Sequence, residues 1–170
     1  MSTVDYGSIT ESTTINVVAA AQTDTTKIFK NIRIAFESQF DTAASQASIT
    51  NKVFENTDFD LASFAKNSAN VEILRGTLLP ANTEIATLGA TGTDINRGIF
   101  QIDYYCRVGI GGFTDKIDTI ANQFPKSVAI SAGGTTVNIN SVSLGAGRRD
   151  GAFFVRNIDV SYFAVTPARS

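Results

Sequence analysis

The sequence contains no histidine and only one cysteine, Cys106. Without histidine, Ser-His-Asp and Cys-His catalysis are excluded, and the commonest protein ligand of transition metals is missing. A lone cysteine cannot form a disulfide within the chain, and Cys106 stands in an apolar strand-like run, so we expect it to be a small buried side chain. Carboxylates, lysines and hydroxyls remain for chemistry, and we predict no enzyme activity, no metal and no cofactor.

Charged residues are also scarce: they make up 18% of the 170 residues, with a net charge of −2 and a pI near 5.1. Binding to nucleic acid phosphates needs clustered Lys and Arg, so sequence-specific DNA or RNA binding is not expected. No apolar run reaches the roughly 18 residues of a membrane span, and the N-terminus lacks a basic start. We therefore expect synthesis in the cytosol, no membrane partner, and a single domain with a real hydrophobic core.

The first 23 residues differ in composition from the rest of the chain. They are rich in Thr and Ser with scattered Ile and Val, which favours an extended arm over a helix. Arms of this kind often pack on a neighbouring subunit. We predict an N-terminal arm over residues 1–23 and a single domain over residues 24–170.

An amphipathic helix is predicted from residue 24 to about residue 44. Asp24 or Thr25 can cap its N-terminus. Apolar residues recur every four positions and so lie on one helix face. They are Ile28, Ile32, Phe36 and Phe40, with Phe29 and Ala35 widening the stripe.

Two strands and two loops are predicted next. Residues 52–56 form a short strand, a polar loop follows, and residues 69–79 form a long strand. We expect Pro80 to end the long strand, because proline cannot donate a ladder hydrogen bond. Residues 81–96 contain few large apolar side chains, which predicts a long loop that is functional or ordered by a partner.

The second half of the chain predicts one helix among strands. Residues 97–108 alternate in polarity, with Phe100, Ile102, Tyr104 and Cys106 on the core face and Ile99, Gln101, Asp103 and Tyr105 on the other. A glycine-rich turn leads into a helix capped by Thr114 or Asp115 and ended by Pro125. Its apolar stripe comprises Ile117, Ile120, Ala121 and Phe124.

The closing residues predict three strands. Residues 126–130 and 135–144 flank Ala132-Gly133-Gly134, a tight hairpin signal, and a turn over residues 145–151 precedes a long strand over residues 152–165. The expected fold class is α+β, a mostly antiparallel β-sheet flanked by two α-helices, with an N-terminal extended arm.

Two loops could bind a ligand, and each has a simpler interpretation. Gly109, Gly111 and Gly112 stand between a strand and a helix, where a phosphate-binding loop would lie, but Thr114 replaces the third glycine and no Gly-Lys-Ser/Thr follows. Asp58 and Asp60 near Glu55 could bind a hard cation, but the twelve-residue calcium-loop spacing is absent. A structural turn and a solvated loop are therefore favoured.

Arg148 and Arg149 lie in the glycine-rich turn. Their guanidinium groups could meet carboxylates of a neighbouring subunit or nucleic acid phosphates. A plain hairpin tip and an interface contact both remain open, and both rank ahead of DNA binding.

The order of several short motifs resembles the tail terminator, or tail completion, proteins of long-tailed bacteriophages, of the lambda-like minor tail protein U type. The resemblance covers about residues 28–165. Its motifs are Ile32-Arg33, Phe36-Glu37, Phe54-Glu55-Asn56, Leu79-Pro80-Ala81, Thr87-Leu88-Gly89, Arg97-Gly98, Gln101-Ile102-Asp103, Gly109, Gly111, Ile120-Ala121 and Phe124-Pro125. The N-terminal arm departs from the family pattern, as does Tyr105-Cys106, where a proline is common.

The resemblance implies a structural virion protein. Six copies would form a ring on the head-proximal end of the tail tube, end tube elongation and offer a joining surface to the head connector, with genomic DNA passing through the lumen. An acidic protein fits that place, because a channel must let a polyanion slide and strong phosphate binding would hold it. Contacts with other subunits or with the tube are expected over residues 81–98 and 145–151, with these residues singled out: Thr87, Leu88, Gly89, Asp94, Arg97, Arg148, Arg149 and Asp150.

Two other classes remain open at the level of sequence. A head-completion stopper or a tail tube subunit would share the small size, the β-rich composition and the ring assembly. A carboxylate-based hydrolase would need a pair of acids in a pocket, and no pattern in the sequence singles out such a pair.

Overall fold

The computed structural model describes residues 27–55, 57–87 and 92–167. The predicted arm over residues 1–23 therefore lies outside the described residues. Within them there are three helices and seven strands. The helices are α1 (Ile28–Gln46), α2 (Leu61–Lys66) and α3 (Phe113–Ala121), and the strands are β1 (Lys52–Phe54), β2 (Glu72–Thr87), β3 (Thr93–Arg107), β4 (Ala129–Ala132), β5 (Thr135–Leu144), β6 (Arg148–Asp150) and β7 (Phe153–Pro167).

The strands form one mostly antiparallel sheet in the order β1-β2-β3-β7-β5-β4, with β6 also paired to β7. Among the strands of the described residues, only β1 and β2 run parallel. β3 and β7 lie at the centre and pair along their full lengths, from Thr93 opposite Pro167 to Arg107 opposite Phe153. The predicted α+β class with a mostly antiparallel sheet is confirmed.

The main core lies between one face of the sheet and the helices α1 and α3. Phe36 of α1 packs on Phe100 of β3 and Tyr162 of β7, with ring centroids 4.8 and 4.9 Å apart. The predicted core faces of both helices and of β3 are confirmed with one exception, because Phe29 is 41% exposed and does not widen the buried stripe of α1. Cys106 is buried, as expected.

A second, smaller core covers one end of the opposite sheet face. Its helix α2 lies where the sequence predicted only a polar loop. Asp60 caps this helix by accepting hydrogen bonds from the Ala62 and Ser63 backbone N–H groups. Phe64 of α2 packs on Phe153, with ring centroids 5.9 Å apart. This short helix was missed because six residues give too little periodicity to recognise.

The prediction of a long loop over residues 81–96 is wrong. β2 continues through Pro80 to Thr87 and pairs with β3, which begins at Thr93, so most of the predicted loop forms the outer half of a β-hairpin. Pro80 is tolerated because β1 pairs with β2 only as far as Gly76, which leaves Pro80 on an edge. Proline at an edge can direct its missing N–H away from the ladder.

The remaining elements depart from prediction mainly at their ends. The described part of α1 starts at Ile28 and continues two residues past Ala44 to Gln46, whereas Asp24 and Thr25 lie outside the described residues. Gly112, in the left-handed region, holds the N-cap position of α3 in place of the predicted Thr114 or Asp115. The predicted strand over 126–130 is displaced to β4.

The glycine-rich turn over residues 145–151 is shorter than predicted. β5 pairs with β7 up to Leu144, and after a break β6 pairs with the first residues of β7 on the same side. Only Gly151 and Ala152 form the turn. Gly145 fits the break because a Cβ there would meet the Asn157 side chain.

Candidate functional site

The sequence's two candidate ligand loops have structural roles. Gly109 and Gly112 have φ angles of 93° and 80°, values that favour glycine and that turn the chain from β3 into α3. The Asp60 carboxylate caps α2. The hydrogen bonds that it accepts there lower its pKa, and the one from the Ser63 hydroxyl has the largest effect. Across residues 27–55, 57–87 and 92–167, no cluster of three or more His, Cys, Asp or Glu could hold a metal ion.

A buried carboxylate in the main core also has a structural role. Glu72 accepts a hydrogen bond of 2.7 Å from the Tyr104 hydroxyl and forms an ion pair with Lys116 of α3. Burial, and then the hydrogen bond to Glu72, raises the pKa of the Tyr104 hydroxyl. The three side chains tie α3 to β2 and β3, which accounts for the burial of a charged group.

The outer hairpin, residues 80–87 of β2 with residues 93–98 of β3, is the first candidate interface. On its inner side β3 pairs with β7, whereas no described strand pairs with β2 beyond Gly76 on the outer side. The β2 residues of this hairpin are all exposed. An exposed strand edge presents unpaired N–H and C=O groups to any chain that can add a strand.

Three of the singled-out residues lie in this hairpin within the described residues. Thr87 is exposed, and its hydroxyl oxygen accepts a hydrogen bond of 2.8 Å from the Thr93 backbone N–H. Arg97 forms an exposed ion pair of 3.2 Å with Glu84. Asp94 is only 8% exposed, so most of its surface is already covered within the chain. Leu88 and Gly89 lie outside the described residues.

The other three singled-out residues, Arg148, Arg149 and Asp150, form β6. All three are exposed. Arg149 lies opposite Phe154 of β7, and its Nε donates a hydrogen bond of 3.1 Å to the Gly151 carbonyl. Exposed guanidinium groups on a paired strand are positioned to contact another chain.

The structure does not bring the two sets together. The hairpin set lies beside the last residues of β7, and β6 lies beside its first residues. About ten residues along β7 separate the hairpin set from β6, a distance of roughly 33 Å at the usual rise per residue. The chain therefore offers two candidate interfaces, one at each end of the sheet.

Apolar side chains on the open sheet face were missed by the sequence analysis. Leu79 and Ile99 lie opposite each other at the base of the outer hairpin and are 45% and 41% exposed. Ile95 lies opposite Val165, which is 49% exposed. Cross-strand register creates this patch, so single apolar residues scattered along three strands gave no sequence signal.

The chain has open strand edges and exposed apolar side chains, and its buried charges have structural roles. These features are typical of a structural protein whose exposed edges and apolar surface are covered by other chains. The family model described as phage tail terminator protein matches residues 31–162. The chain belongs to this family. The resemblance to phage tail terminator proteins drawn from the sequence motifs is thus confirmed, and the family is one of structural phage tail proteins.

Comparison with solved structures supports the fold. One structure that matches has a TM-score of 0.60 and 23% sequence identity, with 78% of this chain and 92% of its own chain covered. At this identity the likeness concerns the fold alone. A search of curated proteins gives no match. Among the described residues, no helix is long and apolar enough to cross a membrane.

Proposed function

We propose that this chain ends tail-tube growth as a ring of six copies, of the lambda-like type, on the head-proximal end of the tube. The ring then offers a joining surface to the head connector, and genomic DNA passes through its lumen. The observation that carries the proposal is the family match over residues 31–162, which spans nearly the whole sheet and its helices.

The two sides of the sheet support a ring. A closed ring needs two different surfaces that fit each other, because each contact joins one face of a subunit to another face of the next. One side of the sheet carries the free edge of β2 beyond Gly76. The other side carries β5, where residues 141–144 extend past β4.

A groove beside the β5 edge could receive a neighbour's hairpin. It is lined by Phe124 and Pro125 after α3 and by Val142 and Leu144 of β5. The hairpin of a second copy would present Ile85, which is 69% exposed. Burial of this side chain stabilises the contact by the hydrophobic effect, and strand pairing sets its register.

The charge of the protein supports passage of DNA. The net charge is −2, and the ion pairs Arg97–Glu84, Lys52–Asp41 and Lys116–Glu72 occupy several of its cations. A lumen without a strong basic stripe would not retain the phosphate backbone. Polyanionic DNA could then slide through the ring.

Electron microscopy of particles assembled without this gene tests the proposal. We expect tails of uncontrolled length that fail to join heads. Tails of normal length that join heads would refute it. The purified protein distinguishes a terminator from a tube subunit, because a tube subunit would polymerise into long tubes and a terminator would stop at rings.

A further inference from the structure

A concave apolar site lies at the end of the sheet opposite the outer hairpin. Its cavity has a volume of about 470 Å³, within the usual range of ligand-binding pockets. The walls come from the end of β3, the turn after it, the start of α3 and the β6–β7 hairpin. Val108, Ile110, Phe113, Phe154 and Arg149 provide the side chains that matter here.

The site is preformed by packing within the chain. The Phe113 ring stacks on Tyr104 at 5.1 Å and meets Phe154 edge-on at 5.0 Å between centroids. Gly109 and Gly112, both with positive φ, fix the turn that carries Val108 and Ile110. Because the backbone and both rings are held by local structure, a ligand would not have to order the site.

The exposed apolar surface of the site is unusually concentrated. Val108 is 50% exposed, Ile110 43% and Phe154 39%, and all three line one cavity. Exposed apolar residues that cluster in this way mark sites of contact with another chain, whereas scattered ones need no explanation. The site therefore fits an apolar side chain.

Two arginines line the site, Arg107 and Arg149. The Arg107 guanidinium donates hydrogen bonds to backbone carbonyls after α2, so Arg149 is the one that adds a requirement for negative charge. Arg149 lies opposite Phe154 and so shares its sheet face, whereas its neighbour Arg148 lies opposite Val155 and points to the other face. The guanidinium of Arg149 can pair with a carboxylate beside an apolar side chain in the cavity. The fitting partner is therefore an extended acidic segment with apolar residues.

We propose that residues 4–11 of a neighbouring copy bind in this site. The first 26 residues contain no Lys or Arg, and the two acids within residues 1–23, Asp5 and Glu11, bracket Tyr6 and Ile9. This segment thus offers apolar side chains next to carboxylates, the combination that the cavity and Arg149 require. The inference rests on the proposed ring, because it needs copies that stand side by side.

The position of α1 supports a neighbour as the donor. α1 begins at the hairpin end of the molecule, where the Asn31 amide donates a hydrogen bond of 3.1 Å to the carbonyl of Gly133 in the β4–β5 turn. Residue 27, where the described chain begins, lies at that end, and the site lies at the other. The attachment point of residues 1–26 and the site are thus on two different surfaces, as ring closure demands, and a fully extended stretch of 23 residues spans up to roughly 75 Å.

Disulfide trapping in the full-length chain tests the proposal. One variant carries Cys106→Ala and Ile9→Cys, and the other carries Cys106→Ala and Val108→Cys, so that each has one thiol. After mixing and mild oxidation, mass spectrometry should detect the mixed dimer as the main linked product. In the control partner, Ile34→Cys replaces Val108→Cys and places the thiol on an exposed position of α1. The yield of mixed dimer should then be about tenfold lower, equivalent to about 1.4 kcal/mol.

Charge reversal provides a matched control. Arg149→Glu in the Val108→Cys partner should lower the mixed-dimer yield several-fold, and Arg148→Glu, which changes the net charge equally, should leave it unchanged. Combining Arg149→Glu with Asp5→Lys and Glu11→Lys in the arm partner should restore the yield. Equal effects of the two arginine changes would overturn the proposal.

A chain that carries both new thiols identifies the donor. An internal disulfide without dimers would show that the arm binds its own site, which overturns the proposal as stated. Light scattering of the same samples separates the two levels of inference. Rings without the mixed dimer would refute this arm contact alone, whereas absence of both rings and mixed dimer would also refute the proposed ring.

Discussion

Glycine at position 98 is required by one close approach. A Cβ on Gly98 would lie 2.5 Å from the Tyr162 hydroxyl oxygen, and the Tyr162 ring is confined by its packing on Phe36. Gly98→Ala is therefore expected to lower the free energy of unfolding by about 1–3 kcal/mol through overpacking. Urea denaturation measures the change. Gly111→Ala is the control, since no atom lies within 4 Å of a Cβ there, and equal losses in both variants would contradict the explanation.

The same tyrosine predicts a loss of stability at high pH. Burial raises the pKa of Tyr162 from 10.0 to about 12, with a contribution from the Glu55 carboxylate. Between these two pKa values the Tyr162 hydroxyl has lost its proton in the unfolded chain and has kept it in the native chain. The contribution of this proton to the free energy of unfolding is therefore fully present below pH 10 and is lost as the pH rises toward 12. Other buried tyrosines add to the slope.

Tyr162→Phe isolates this contribution. The variant should lose stability less steeply than the natural chain above pH 10, by up to about 1.4 kcal/mol per pH unit. Unfolding free energies measured between pH 9 and pH 12 give both slopes, and comparing slopes removes any effect of the missing hydroxyl at neutral pH. Parallel pH profiles would show that Tyr162 titrates alike in the folded and unfolded chains.

At the scale of single elements, Arg107 holds α2 and the residues after it against the sheet. Its guanidinium donates hydrogen bonds to the carbonyl oxygens of Ala65, Asn67 and Asn70, and lies 5.4 Å from the centroid of the Phe153 ring. Lysine cannot reproduce this fork of donors. Arg107→Lys should therefore cost about 1–2 kcal/mol, the scale of lost hydrogen bonds to a charged group.

Hydrogen exchange shows where that loss occurs. Amides of residues 61–70 should exchange about tenfold faster in Arg107→Lys, because this unit opens locally before the main core does. The exchange rates of α1 amides should change only as far as the global free energy of unfolding changes. Arg148→Lys, an exposed change on β6, is the control and should leave both regions unaffected. Uniform acceleration in Arg107→Lys would mean that α2 does not open separately.

Helix stripes and strand alternation made most of the elements predictable. The core residues of α1, β3 and α3 follow from a period of four or of two, and β5 has its predicted bounds. The outer hairpin did not follow, because its strands carry few apolar residues and contain Pro80. Its pairing depends on register with β3 and β7, a non-local property.

The candidate site was less predictable than the fold for the same reason. Arg97 could be singled out through the family motif Arg97-Gly98 and Arg149 through its place in the glycine-rich turn, but the separation of their two interfaces follows from the lengths of β3 and β7. The close approach of Gly98 to Tyr162 likewise requires the β3–β7 register. In this chain, local patterns predict which residues are buried, and register determines which residues meet.

At the scale of the whole molecule, the free edge of β2 is the surface whose loss should prevent assembly without unfolding the chain. Ile85 is 69% exposed within the outer hairpin, so Ile85→Lys should change the free energy of unfolding by less than about 0.5 kcal/mol. A lysine there opposes edge pairing, because burying its charge in a contact is costly. If copies join as in the proposed ring, each contact should weaken at least about tenfold, or about 1.4 kcal/mol, and the fraction of rings should fall accordingly.

Light scattering of the purified variant measures ring content, with Ile34→Lys as the control. Ile34 is 42% exposed on α1, away from the β2 edge, so the same change of residue and charge should leave the rings intact. In particles that carry Ile85→Lys in place of the natural chain, tails should exceed normal length, because under the proposed function an incomplete ring cannot stop tube growth. Rings that form normally with Ile85→Lys would show that copies join through another surface, and normal tails without rings would separate termination from ring formation.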